Sequence, residues 1–545
     1  MIKLTVLIAA LAVFFLVLVL YVVPNQGGLI SSTELQQSDL QSAAPWLEEK
    51  VPIQEVDIGL NGRQGRSMFI AIAMLGHIVL ANMQLGGAWI IPITELLWLK
   101  SRKNRFRRLA RSQTLFNVIF FSIGATFAMG GMLFFAGLFP VLTQNAFHIY
   151  WWPLFLEALT FAGEIFFLFS YWYTWDRISP TWHQFLGWAL AMDVFFQQLF
   201  INTLAAGMLT TGAPAITWGE TGLDTMPFWT LVSWWSNSTV WFLTFHRLAG
   251  AISMYGYIIA ALAMFHYADR KDRASKAYWD WVGTYGMAFG LLGLAFQPGF
   301  GLMYMMQIMA HSQLAFTYIM HGPRAWEMLL MVGLLSALLI SSLIYFIDRH
   351  KDTFPKQGNF SIYPFWKIFV GFAALAFLIN VNPAWVGSTF SINPDAVHNP
   401  LGWMVYKYIA LFTITIISAL VVGSAAFILG NFENEPDWGN LGRSPKVAAV
   451  LSGILSIWII ITMGFVRESA RSPWTFFNII PVPGGTSYPT PISIWNISLI
   501  WLGVLGFAFV VIWYISKVTA EHPGEADIIG SPAKAWNGEG GEISE

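Results

Sequence analysis

The sequence predicts an all-α polytopic membrane protein, a bundle of about twelve transmembrane helices. Three observations predict it. Hydrophobic residues make up 56% of the 545-residue chain and charged residues only 11%, whereas soluble domains carry about 25% charged residues. The apolar residues fall in successive runs long enough to cross a hydrocarbon core about 30 Å thick as helices. With 27 Trp and 45 Phe, the chain has the aromatic content that interfacial belts and large apolar pockets need.

Residues 4–23 are an apolar run behind Lys3, read as a retained membrane anchor because no small-residue cleavage site follows. The anchor region 1–26 gives way to a polar external segment, 27–65, with Pro45, Glu48, Glu49, Lys50 and Asp57. Further spans are expected at 67–98, 113–141, 151–174, 184–212, 241–267, 279–305, 325–347, 363–382, 403–430, 447–466 and 492–516. They group into a main bundle over 66–349, an inserted helix pair with an outer loop over 350–445, C-terminal helices over 446–516 and a cytoplasmic tail over 517–545. Orientation follows from Lys and Arg, which collect on the cytoplasmic side. Lys100, Arg102, Lys103, Arg105, Arg107 and Arg108 mark one inner loop; Asp176-Arg177, Asp269 to Arg273 and Asp348 to Lys351 mark the others. The outer connections are poor in Lys and Arg, so the topology is self-consistent and suits the cytoplasmic membrane of a prokaryote.

Composition removes several function classes. A net charge of −1 with no basic tail argues against a nucleic-acid partner. The absence of cysteine excludes disulfides, thiolate-bound iron–sulfur clusters, covalent c-type haem and a cysteine nucleophile. No P-loop glycine pattern is present, so this chain does not drive ATP-dependent transport.

Two features carry chemistry. Glu157 and Glu164 sit in one apolar span seven residues apart, so they share a helix face about 10 Å apart along the axis. Acids at that depth are costly unless they pair, line a cavity or carry protons. A proton path is the functional reading; two protonated acids bonded to neighbouring helices is the structural one. The second feature is a set of metal-capable side chains at similar depth. His77, His246, Met331 and Glu468 come from four different spans, all in the outer half of the membrane. Imidazole is a strong nitrogen ligand, and a thioether raises the potential of a low-spin haem iron. Each alone is more often a packing residue, and the shared depth is what suggests a haem cluster.

Local motifs sharpen this. Glu468-Ser-Ala-Arg471-Ser-Pro473-Trp474 resembles the Glu-x-Gly-Arg-Gln-Pro-Trp signature of cytochrome bd-type oxygen reductase subunit I. Glu164 followed by Trp175-Asp176-Arg177 has that family's spacing, Phe245-His246-Arg-Leu-Ala-Gly250 resembles its His-Thr-Val-Ala-x-Gly segment, and Leu330-Met331-Val-Gly333 resembles its Met helix. Arg66, His77 and Gln84-Leu-Gly86 resemble its first helix less closely. The resemblance implies that His246 and Met331 hold a low-spin b haem and that His77 and Glu468 are axial ligands of two high-spin haems. The oxygen-site haem is left open between b and d. Arg471 is implied to lie beside haem propionates, with Trp474 in the same cofactor-binding segment, and Glu164 to be a proton-path acid; Glu157 is one residue out of register with the family's second acid.

The chain also departs from the pattern. The connection from about Gln307 to Pro323 is too short for the family's quinol-binding loop, Leu329 replaces the arginine expected two residues before Met331, and Ser472 replaces Gln. The expectation is therefore a haem-bearing, bd-like terminal oxidase subunit that reduces oxygen to water and works with a second membrane subunit. Its expected donor is a cytochrome c or a cytochrome-containing partner, with quinol at a rearranged site as the alternative. An electron-wiring haem subunit that does not reduce oxygen, and a haem-free proton-coupled transporter, are the competing classes. Most of the remaining histidines, among them His183 and His266, are expected at span ends, solvated or interfacial.

Overall fold

An apolar segment in lipid must satisfy its backbone internally, and long helices are what the chain forms. The structure is a computed structural model describing residues 64–140, 143, 146–147, 150–210, 235–312, 315–316, 319, 325–349, 351, 356–361, 437–471, 474–476, 480–481 and 494–520. Among the described residues nine long helices follow in order: α1 (Gln64–Ser101), α2 (Asn104–Leu138), α3 (Trp151–Tyr173), α4 (Pro180–Gly207), α5 (Ser238–Asp269), α6 (Arg273–His311), α7 (Ala325–Arg349), α8 (Arg443–Arg471) and α9 (Ile494–Ala520). Eight helices among the described residues are long and apolar enough to cross a membrane. The expected spans at 4–23, 363–382 and 403–430 lie outside the described residues. Two short antiparallel ribbons complete the described fold: β1 (Lys356–Gln357) with β2 (Phe360–Ser361), and β3 (Trp474–Phe476) with β4 (Ile480–Pro481).

The helix starts are written in local chemistry. Asn237 caps α5 by accepting from Thr239 N at 3.0 Å, and Asp272 caps α6 by accepting from Ser275 N at 2.7 Å. Pro180 opens α4 at its first turn, where a missing N–H costs nothing. Pro92 and Pro298 lie inside α1 and α6 without ending them. Around Pro92 a neighbouring helix supplies a partner, since Gln184 Nε2 donates to the Pro92 carbonyl at 3.0 Å.

Close packing depends on glycine. The α5–α6 pair meets backbone to backbone: a Cβ on Gly286 would stand 2.6 Å from Gly256 O, and one on Gly293 would stand 2.6 Å from Ala249 O. Ser253 Oγ donates to Gly290 O at 2.8 Å across the same seam. Small residues with an occasional interhelical hydrogen bond are the usual basis of packing in lipid. Similar polar ties join α7 to α8 through Ser341 and Ser452 (2.7 Å) and α5 to α9 through His266 Nε2 and Ser516 Oγ (2.8 Å). The main apolar core runs through α1, α2 and α5–α9, and a second cluster, including Leu199, Ala206, Leu243, Ile308 and Val466, joins the outer ends of α4, α5, α6 and α8.

The basic residues gather at one end, as the orientation argument requires. Asp176 adopts a left-handed φ of 61° after Trp175 and takes Arg107 and Arg111, one α2 turn apart, on its two oxygens. Asp280 is fully buried and holds Arg349 through both oxygens, at 3.0 and 2.8 Å, while Gly439 N donates to Asp280 Oδ2 at 3.0 Å. Gly439 has φ +87°, which favours glycine. Large apolar side chains such as Leu133, Phe166 and Leu502 stand exposed on α2, α3 and α9, as lipid-facing surface does.

Candidate functional site

Helix direction sets depth. With the basic loops inside, α1, α3, α5, α7 and α9 run inward and α2, α4, α6 and α8 run outward. His77 lies about 20 Å from the outer start of α1, His246 about 12 Å from that of α5 and Met331 about 9 Å from that of α7. Glu468 is one turn from the outer end of α8. All four are in the outer half of their helices.

Around His246 the structure collects a cationic, aromatic site. Its ring stacks on Tyr304 of α6 at 6.4 Å, and its carbonyl accepts from Gln297 Nε2. His246 Nε2 packs toward α6 at Gly301, where a Cβ would stand 3.2 Å from it. The next residue, Arg247, bonds Asn202 Oδ1 of α4 and acts electrostatically on both His77 and His246. Arg467 of α8 donates to Ala205 O at 2.9 Å and lies within electrostatic range of Arg247 and Tyr304. His77 is half-buried, and its Nδ1 sits 3.4 Å from Gly124 O of α2, which favours the proton on Nδ1 and leaves Nε2 as the ligand atom. Met331 is buried, and Glu468 is half-buried beside Arg467 in sequence. Arg471 is the last residue of α8 and Trp474 the first of β3; their side chains lie outside the described ones.

A second cluster lies on the α3 face below. Glu164 is buried in mid-helix with the Gln84 and Gln197 amides beside it, and Asp193 of α4 and Glu157 act on it electrostatically. A Cβ on Gly163 would fall 2.4 Å from Asp193 Oδ1, so that carboxylate rests against the α3 backbone. Glu164 Oε1, Asp193 Oδ2 and both Gln84 amide atoms are buried without hydrogen-bond partners among the described residues. Such unsatisfied polar atoms mark room that water or a proton can use. Glu157 follows one face outward from Glu164, toward the level of His246.

Seven residues inward from Glu164, Tyr171 reaches a closed triad. Tyr171 OH donates to Glu95 Oε2 at 2.6 Å, Glu95 Oε1 meets His183 Nδ1 at 2.6 Å, and His183 Nε2 donates to Tyr171 O at 2.9 Å. His183, in the first turn of α4, is therefore buried and not solvated, because a carboxylate and a carbonyl satisfy both ring nitrogens. His266 departs from expectation in the same way, buried between Ser516 and the Trp279 ring at 4.3 Å.

The residues near His246 fit an iron porphyrin. Among the described residues no three His, Asp or Glu side chains converge to hold a metal. His246 has an imidazole that such a group could take as a ligand, and buried Tyr304 OH and Arg467 Nε have no partner among the described residues. Fold and site thus define a class: a helical multi-pass membrane protein with an outer-half donor set suited to haem.

Comparison narrows the class. The family described as cytochrome bd terminal oxidase subunit I matches residues 66–523, and the chain belongs to that family. It is therefore a bd-type oxidase subunit, an oxidoreductase component of a family that binds haems. Among solved structures, the bd oxidase from Geobacillus thermodenitrificans is similar at 15% identity and a TM-score of 0.45, over 84% of this chain and 96% of that one. No curated protein matches the chain.

Sequence reasoning did not single out Asp193, Arg247, Arg467 or Tyr304. Asp193 is a lone acid in an apolar span and carried the same signal as Glu164. Arg247 stands where the resembling motif has Thr, a visible departure next to a candidate ligand.

Proposed function

We propose that the chain is the haem subunit of a bd-like oxygen reductase of a prokaryotic cytoplasmic membrane, with a second membrane subunit as partner. In this reading His246 and Met331 would hold a low-spin b haem, and His77 and Glu468 would each hold a high-spin haem. When bound, these groups carry electrons and reduce oxygen to water. What supports the reading is that Arg247 of α5 acts electrostatically on both His77 of α1 and its neighbour His246, and Arg467 of α8 acts on Arg247, all in the outer halves of their helices.

The chain's own residues have two tasks. The first is to orient and fix: Gly124 O sets the His77 tautomer, Gln297 holds the His246 backbone, and Gly301 leaves room for the His246 ring against α6. The second is to move protons outward. Glu164 and Asp193 hold protons at their carboxyls in mid-membrane, Gln84 and Gln197 flank them, and Glu157 leads toward the outer level. Arg471 and Trp474 are assigned to the same cofactor-binding region. Only 13 residues separate His311 from Ala325, which leaves little chain for a quinol loop and favours a cytochrome donor from the outer side. The family relationship keeps quinol as the second reading.

The test is His246→Ala and Met331→Leu in the purified complex. Each is expected to abolish the low-spin signal in a reduced-minus-oxidised spectrum and to leave high-spin haem in place. Unchanged spectra in both would reject the pair. Reduction by cytochrome c against reduction by quinol then decides the donor.

A further inference from the structure

Two partly buried arginines reach the same stretch of α4 next to His246, Arg247 at Asn202 and Arg467 at Ala205, three residues apart. Arg247 and Arg467 belong to different helices and act on each other electrostatically. Ala205 and Tyr304, which they meet, and Val466, next to Arg467 in sequence, belong to the outer apolar cluster. Like charges repel strongly at low dielectric, and each guanidinium also loses hydration there. The groups that bond them do not offset this. Arg247 bonds the Asn202 amide oxygen and Arg467 the Ala205 carbonyl, both neutral acceptors. A guanidinium carries five N–H donors and stays charged, and a neutral acceptor does not offset that charge. No carboxylate among the described residues forms a salt bridge with either arginine. Glu468 follows Arg467 directly, and adjacent helical residues do not face each other.

Two further observations say what the pair is for. Arg467 Nε and the hydroxyl of Tyr304 are buried donors without partners among the described residues, and Tyr304 stacks on the His246 ring. Donors and charge therefore converge on one volume beside a metal-capable imidazole. A ligand that fits has an anionic edge with planar acceptors and a centre that binds imidazole.

We propose that Arg247 and Arg467, with the Tyr304 hydroxyl, form the seat for the propionate carboxylates of the porphyrin whose iron takes His246. The assignment rests on the haem reading of the site. It names residues outside the Arg471 segment as the anion-binding group. It also explains why two charges are tolerated in the bundle: the two propionates neutralise them through charge-assisted, two-pronged bonds. Their positive charge favours the reduced over the oxidised haem.

The experiment uses the purified complex carrying Arg247→Gln or Arg467→Gln, with haem per protein measured as the pyridine haemochrome and the low-spin midpoint potential by spectroelectrochemistry. Each variant is expected to lower the midpoint potential and to lose part of its haem, and Arg467→Lys should recover the potential because it keeps the charge. Haem content and potential equal to wild type in both Gln variants would overturn the proposal. If His246→Ala still removes the haem in that case, the haem reading stands and only the anion seat fails. Wild-type protein without haem would sink both. Should the Gln variants fail to assemble, redox-difference infrared spectra of wild-type complex with 15N-labelled arginine decide instead. Guanidinium bands that move with the label support the seat, and their absence overturns it.

Discussion

Replacing Gly293 by alanine adds a single carbon to the α5–α6 seam, and its effect can be worked out from the packing. The new Cβ would stand 2.6 Å from Ala249 O and Ser253 N, against the 3.4 Å at which ordinary contact begins. Both atoms are backbone, so no side chain can swing aside. The helices must part by roughly 0.8 Å, and overpacking of this kind costs about 1–3 kcal/mol. Gly293 lies eight residues, about 12 Å, from Gly301, and the same seam sets the His246–Tyr304 stacking and the room for the His246 ring against α6. The assay pairs thermal stability with the reduced-minus-oxidised spectrum. Gly293→Ala should lower both stability and low-spin haem occupancy, whereas Gly130→Ala, which meets nothing within 4 Å, should change neither. Equal behaviour of the two variants would refute the claim that glycine contact in this seam positions the site.

Glu164→Gln and Asp193→Asn should each slow oxygen turnover, on the order of a hundredfold if the acid carries protons, with haem content intact; loss of haem would make the acid structural. Asp280→Ala leaves the Arg349 guanidinium buried without its partner and Gly439 N–H without its acceptor. A loss of about 3–5 kcal/mol in stability is expected, and an unchanged unfolding midpoint would contradict it. At the inner surface, hydrogen bonds from Arg273 and Asn440 hold the Asp437 carboxyl below its usual value. A depressed pKa means stabilisation that is present above about pH 4 and lost as pH falls through the folded value. Asp437→Asn should therefore remove acid sensitivity at this corner, read by hydrogen exchange of Gly439 and Leu441.

Much of the helical framework was legible because lipid enforces it. The span expected at 151–174 is α3, Trp151–Tyr173, and the other expected spans that fall on described residues differ mainly at their ends. Those ends were less legible because capped, charged turns extend past the apolar core: α6 begins at its Asp272 cap, well before residue 279, and α8 runs on through Arg467 to Arg471. Paired acids on one face announced Glu157 and Glu164 through simple helical spacing. Asp193 could not be joined to them from sequence, because that required knowing that α4 packs on α3 at Gly163. His183 looked interfacial by position and is buried by virtue of Glu95, 88 residues away. The arginine missing at Leu329 was plain, but only the meeting of α5 with α8 shows that Arg247 and Arg467 bring guanidinium charge to His246's surroundings.

The most direct measurement is a reduced-minus-oxidised spectrum of the purified complex, repeated after addition of carbon monoxide. The account predicts a low-spin b haem signal together with a component that carbon monoxide shifts, since an oxygen-reducing iron keeps an open position. Haem that carbon monoxide leaves untouched would contradict oxygen reduction at this chain and point to an electron-wiring subunit. Absence of haem would contradict the account as a whole.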